Sequence, residues 1–470
     1  MVDKELCFRS AVHLAKDIRE KTISPVEIVQ NALLRIDEIN PLLNGFCFVY
    51  AEEALDKARD AERDVLSGKQ VGPLHGVPFA IKDFTPTAGK RTTLGSKVFE
   101  HWVPDFDPPL VERLQKAGGI MIGKTTTPEF AHSSFTDSPL WGPTGNPWNP
   151  NHTAGGSSGG SAVAVATGCV PIAEGSDAGG SIRIPAALSG IVGLKPSFGR
   201  IPMGILSTAF DSIFHFGPLS RTVSDAALFL NITQGPDDRD IMSLPAAEPI
   251  HLPLKSNVAG LRLAVCPDQG FFALDPDVEA NTHTSAEALR QAGAIVEEVN
   301  LEWTRRIVDD WFLHWAVFFA AFFEQHLDQW RDDMTPEVVR MIEVGQTVRA
   351  TDFKRLEEAR THQWEKLRKI LDNYDALLTA TMALPAPAIG GKDSDYDRDD
   401  EAGRYKGLDM TCPFNFVSQC PAITVPSGFT RDGFPTGLQV IGRRYDEPTV
   451  LNIAATLESV QPWIDSRPPV

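Results

Sequence analysis

Two glycine–serine turns lie in the middle of the chain, Gly155-Gly156-Ser157-Ser158-Gly159-Gly160 and Gly179-Gly180-Ser181-Ile182-Arg183. Each joins flexible backbone to a hydroxyl. A third segment, Gly76-Val77-Pro78-Phe79-Ala80-Ile81-Lys82-Asp83, ends an apolar run on a lysine. Burial disfavours an ammonium and favours the neutral amine, and a neutral lysine is a base. A serine hydroxyl is a weak nucleophile until a base takes its proton, so two hydroxyls and one base could carry base-assisted nucleophilic chemistry. The plain alternatives are glycines that only allow close packing and positive φ, and a surface lysine that caps a strand.

The elements around these residues decide whether they can meet. Ser161 to Thr167 reads as a small apolar helix stopped by Gly168, and Val170 to Glu174 as an extended run. A helix of about ten residues rises roughly 15 Å, and a strand of about five returns roughly 16 Å. The rises cancel, which predicts both serines at one end of a sheet. Upstream, Ser24-Pro25-Val26-Glu27 combines an N-cap serine, a first-turn proline and a capping-box glutamate. Val26, Val29, Leu33 and Ile36 follow at helical spacing, and Ala51, Ala54, Ala58, Ala61 and Val65 mark a second helix. Asp107-Pro108 opens a helix that Gly118-Gly119 ends, before a buried strand at Ile120-Met121-Ile122. The same pattern returns at Ala286 to Ala292, Gly293, and Ala294-Ile295-Val296. Such alternation predicts an α/β protein. With no linker-like stretch, the expectation is one domain over 1–470, with a helical N-terminal segment over 1–68 and a helical insertion over about 300–375.

The insertion is rich in aromatic residues. Trp311, Trp315, Phe319 and Phe323 share one helical stripe, while Phe312, Phe318 and Phe322 lie on other faces. A helix apolar all round is usually buried, so an ordinary core helix is one reading. A pocket wall or lid for an apolar substrate is another, and a dimer or membrane-surface contact is the third.

Composition narrows the class. A net charge of −18 over 470 residues argues against a protein built to bind nucleic acid. No run reaches the roughly 20 apolar residues of a membrane helix, and the start has no apolar signal core. Six scattered cysteines without a CxxC suggest reduced thiols in a cytoplasmic protein and no metal site. Two motifs mislead. Gly118 to Thr125 matches G-x-x-x-x-G-K-T, but its middle, Ile120-Met121-Ile122, calls for a buried strand and not a phosphate loop. Gly155-x-Ser157-x-Gly159 matches a nucleophile elbow, but a turn-rich loop precedes it where a strand is needed; His215 and His283 stay open as its histidine partner.

Taken together, the three segments resemble the amidase signature family over roughly 25–225 and 370–460, most specifically in the stretch from Gly155 to Arg200. Further matching pieces are Gly123-Lys124-Thr125, Pro128-Glu129-Phe130-Ala131, Asn146-Pro147-Trp148 and Pro421-Ala422-Ile423-Thr424-Val425-Pro426. The resemblance implies a large mixed β-sheet covered by helices on both faces. It implies Ser181 as acyl-accepting nucleophile, Ser157 as a bridging serine after a cis peptide bond from Gly156, and Lys82 as base. The N–H groups of Ala178, Gly179, Gly180 and Ser181 would form the oxyanion hole. Asp177 and Arg183 would brace that turn, with a surface ion pair as the alternative for Arg183. Ala131, His132 and Ser134 would border the pocket. Ala178, Thr126 and Ala380-Thr381 depart from the residues many relatives carry, which leaves the pocket's polarity open but removes no catalytic group.

The resulting expectation is an amidase cleaving carboxylic amide C–N bonds, with aryl-acylamide, carbamate or ester substrates in range and no cofactor. Its partner would be a small acyl substrate, with no nucleic acid and no membrane span; a homodimer stays open. One alternative is the amidase-family component of a glutamine-dependent aminoacyl-tRNA amidotransferase, disfavoured by the acidic charge and by the segment Asp211 to Phe216. The other is a non-catalytic binding protein, disfavoured because Lys82, Ser157 and Ser181 are all present.

Overall fold

A computed structural model describes residues 2–470. Eleven strands form one sheet: β1 (Phe46–Val49), β2 (Pro78–Lys82), β3 (Ile120–Thr125), β4 (Ile172–Asp177), β5 (Val192–Lys195), β6 (His215–Ser220), β7 (Arg262–Val265), β8 (Ile295–Glu298), β9 (Ala376–Ala380), β10 (Ala422–Phe429) and β11 (Pro435–Gly442). Their order is β1-β3-β2-β4-β6-β5-β10-β11-β9-β7-β8. The sheet is mixed. β3, β2 and β4 run parallel, as do β9, β7 and β8, while the centre from β4 through β6, β5, β10 and β11 to β9 is antiparallel.

Both faces are covered, and strand alternation shows how. In β2, Phe79 and Ile81 join one apolar core while Ala80 joins the other; in β3, Met121 faces the first, and Ile120 and Ile122 the second. Successive side chains of a strand point to opposite faces, so Lys82 shares the side of Ala80. That side carries the helix Gly159–Ala166, whose Ala162 to Ala166 are wholly buried in the same core.

Local chemistry sets the element ends, with small departures from expectation. The helix Pro25–Leu43 begins after Ser24, whose hydroxyl accepts the Val26 N–H and donates to Glu62. The capping box with Glu27 does not form; the Ser24 oxygen accepts the Val26 N–H instead. The strand expected at Val170 to Glu174 lies two to three residues later, as β4, since pairing with β6 and β2 selects its span. The helix after the second turn runs Arg183–Ser189, with Gly190 left-handed at φ 70°.

Residues 306–371 form helices, chiefly Arg306–Phe323, Pro336–Thr347 and Ala350–Leu371. In the first, Trp315, Phe318, Phe319 and Phe323 are buried, whereas Trp311, Phe312 and Phe322 are half-buried. No described helix is long and apolar enough to cross a membrane.

Candidate active site

Lys82 is the last residue of β2 and is wholly buried. Its Nζ lies 2.5 Å from Ser157 Oγ and 3.0 Å from Ser176 Oγ. Its backbone N–H donates to Glu174 Oε2 at 2.9 Å, and Thr85 Oγ1 donates to Glu174 Oε1 at 2.9 Å. The glutamate thus binds the backbone beside the lysine and leaves the amine to the two hydroxyls. Burial drives both groups toward neutrality: it pushes Lys82 down to about 7 and Glu174 above the usual carboxylate range. The peptide bond from Gly156 to Ser157 is cis.

The second turn meets the first through the backbone, where the Ser158 N–H donates to the Ser181 carbonyl at 3.1 Å. From Thr153 to Ser189 every residue is buried except Gly179 and Ser181. These two, with Ala178, line a cavity of about 400 Å³. Trp311, Phe312, Trp315 and Met341 also line it, as do Ala131, His132 and Ser134. The cavity wall therefore mixes aromatic surface with a polar edge that includes Asp393 and Asp409. Gly180 is buried and has φ 135°, a conformation other residues rarely adopt.

The base of this turn is built on charge. Asp177 and Arg183 are both fully buried and pair through two hydrogen bonds, Nε to Oδ2 at 3.0 Å and Nη2 to Oδ1 at 2.9 Å. Arg183 also donates to the Thr411 carbonyl, to Asn415 Oδ1 and to Gln439 Oε1. Its guanidinium holds the Asp177 carboxyl far below its ordinary value, against the opposing effect of burial. This excludes the surface ion pair considered for Arg183.

Ala131 reaches the cavity from a strained segment. Phe130 and Ala131 are consecutive left-handed residues, at φ 51° and 59°, each costing about 1–2 kcal/mol. The surroundings hold them there. The Phe130 N–H donates to the Leu94 carbonyl at 2.8 Å and its ring stacks on Phe323 at 4.1 Å. Glu129 accepts the Ser96 hydroxyl and the Thr335 N–H, which ties the segment to the start of the helix Pro336–Thr347. His132 Nδ1 lies 2.8 Å from the Glu129 carbonyl, a local contact.

Other candidates fall away from this centre. Lys124 is buried at the end of β3, with Nζ donating to the Thr85 carbonyl and to Thr92 Oγ1, so the P-loop-like stretch is strand interior. His215 bridges the Asp177 and Ser418 carbonyls, and burial with the neighbouring Lys195 pushes it down to about 3. His283 is exposed on the helix Pro276–Gln291. Sequence reasoning missed Ser176, Glu174, Thr411, Asn415 and the polar role of Trp311. Of these, only Ser176 and Glu174 left a readable trace, because parallel pairing of β2 with β4 sets residues 174–176 beside Lys82.

Comparison with known proteins finds amidases over nearly the whole chain. The amidase family model matches residues 27–451. An acylamidase of Rhodococcus erythropolis is 37% identical over 474 residues, covering 100% of this chain and 98% of that protein. A glutamyl-tRNA(Gln) amidotransferase component of Chloroflexus aurantiacus is 35% identical, covering 95% of each. A solved bacterial aryl acylamidase of the amidase signature family superposes with a TM-score of 0.91 at 30% identity, over 97% of both chains. This chain belongs to the amidase signature family and is an amidase acting on amide C–N bonds.

Proposed function

We propose that this amidase hydrolyses acylamides with an apolar, preferably aryl, group, through an acyl-enzyme on Ser181. The observation that carries the reading is the solvent-reached pair Gly179 and Ser181, facing an aromatic-walled cavity in an otherwise buried segment. Ser181 Oγ attacks the carbonyl carbon. Its proton passes to Ser157 Oγ as the Ser157 proton passes to neutral Lys82 Nζ, 2.5 Å away. The developing oxyanion takes the N–H groups of the turn Ala178 to Ser181, where preformed donors cost no reorganisation. The C–N bond then breaks, Ser157 returns a proton to the leaving amine, and Lys82 restores the Ser157 proton. Water attacks the acyl-enzyme by the same relay and releases the carboxylic acid.

Ala131, fixed in its left-handed turn, bounds the acyl side, and the helices over 300–375 wall the apolar side. The amidotransferase reading keeps the same acyl chemistry but requires glutamine and a second protein. The test uses the purified chain by itself with an anilide, an aliphatic amide and glutamine. Turnover of the anilide without any partner supports the hydrolase; turnover of glutamine with no anilide cleavage overturns it. Ser181→Ala is expected to retain the fold by circular dichroism and to lose at least about 10⁴-fold in kcat, as removal of a nucleophile does; retained turnover refutes the acyl-enzyme.

A further inference from the structure

The turn that carries Ser181 is gripped from behind, carbonyl by carbonyl. Trp311 Nε1 donates to the Ala178 carbonyl at 3.0 Å. Thr411 Oγ1 donates to the Gly179 carbonyl at 2.6 Å. The Ile184 N–H donates to the Gly180 carbonyl at 2.7 Å. Each of these carbonyls shares a peptide plane with the next residue's N–H. A trans peptide is planar, and its C=O and N–H point opposite ways. Fixing the three oxygens therefore aims the N–H groups of Gly179, Gly180 and Ser181 to the other side. No acceptor among the described residues takes those three N–H groups. The two glycines allow the grip: a Cβ on Gly179 would overlap the Trp311 indole, and one on Gly180 would overlap Thr411.

We propose that Trp311 and Thr411 are positioning residues that set the oxyanion donors of this amidase, and that Trp311 links apolar-group binding to their alignment. Ile184 belongs to the turn's own helix, but the other two grips come from distant segments. Trp311 sits on the helix Arg306–Phe323, stacks on Trp315 with centroids 6.2 Å apart, and lines the cavity. A substrate group resting on this indole touches the ring that holds the Ala178 oxygen. Binding energy far from the carbonyl then appears in kcat, because it is realised at the donors that meet the transition state.

The inference rests on the assignment of Ser181, and the test separates the two. Trp311→Phe keeps a ring but removes the indole N–H, Thr411→Val removes the hydroxyl, and Thr411→Ser retains it. For an uncharged anilide, Trp311→Phe and Thr411→Val are each expected to lower kcat about 10- to 100-fold with KM within about threefold, a smaller loss than deleting an oxyanion donor outright. Thr411→Ser is expected to restore most of the rate. A trifluoromethyl ketone analogue, which forms a tetrahedral adduct, should weaken by the same factor as kcat/KM, whereas the carboxylic acid product should bind unchanged. An unchanged kcat in Trp311→Phe, or a loss carried wholly by KM, overturns the proposal. Stoichiometric labelling by a fluorophosphonate, mapped by mass spectrometry, reports on Ser181 independently. Label on Ser181 with an unaffected Trp311→Phe leaves the nucleophile standing and removes only the positioning role. Label elsewhere removes both.

Discussion

The pH dependence of kcat/KM offers a direct test of the lysine. Lys82 is wholly buried, its amine is offered only to the Ser157 and Ser176 hydroxyls, and burial pushes it down to about 7. The base is the neutral form, so activity grows as the proton leaves. With a midpoint of about 7, the neutral fraction is about one tenth at pH 6 and about nine tenths at pH 8, a rise of roughly tenfold. A lysine at its ordinary value of about 10.4 would be neutral in only about 0.04% of molecules at pH 7, and the rate would climb through pH 9 without a plateau. The assay is initial-rate hydrolysis of an uncharged anilide at substrate far below KM, between about pH 5.5 and 9.5. Expected is unit slope in log kcat/KM below about pH 6.5 and a plateau above about pH 8. Lys195 is the necessary control, since burial pushes it down to about 7 as well, while its Nζ donates to the Pro196 and Cys420 carbonyls. Lys195→Met should keep the midpoint. A flat profile, a profile that falls with pH, or a midpoint that disappears in Lys195→Met would refute the assignment of the base to Lys82.

Two further outcomes follow from the turn. Arg183→Met leaves the Asp177 carboxylate buried without its cation and should cost about 3–5 kcal/mol in urea unfolding; adding Asp177→Asn should recover part of that loss, and a single-variant loss under about 1 kcal/mol would contradict the buried-pair account. Gly179→Ala forces a Cβ into the Trp311 indole and should lower kcat at least about tenfold in a protein with wild-type circular dichroism; an unchanged kcat would contradict the close approach of indole and turn.

Much of the centre could be read along the chain because its signals are local. Glycines flank each serine within a few residues, and Lys82 ends a run whose apolar character demands burial. Helix and strand types were legible where period and stop residue coincide, as at Gly118 and Gly293. What remained hidden depends on the sheet's permuted order. The Trp311 indole reaches the Ala178 carbonyl across 133 positions, and Thr411 reaches Gly179 across 232. No spacing rule connects such pairs. The Ser24 cap shows the same limit on a small scale: the pattern with Glu27 was present, but the hydroxyl accepts the Val26 N–H and donates to Glu62 of another helix.

The Arg183 guanidinium bears on the order in which the molecule can be made. Asp177 is translated just before it, but its other acceptors, at Thr411, Asn415 and Gln439, are translated more than 220 residues later. Until they arrive, a buried cation lacks more than half its hydrogen bonds, and the Ser181 turn lacks the Thr411 grip. A nascent or prematurely terminated chain therefore carries all three candidate catalytic side chains yet no finished site. Completion of the site therefore waits on a segment more than 220 positions beyond Ser181.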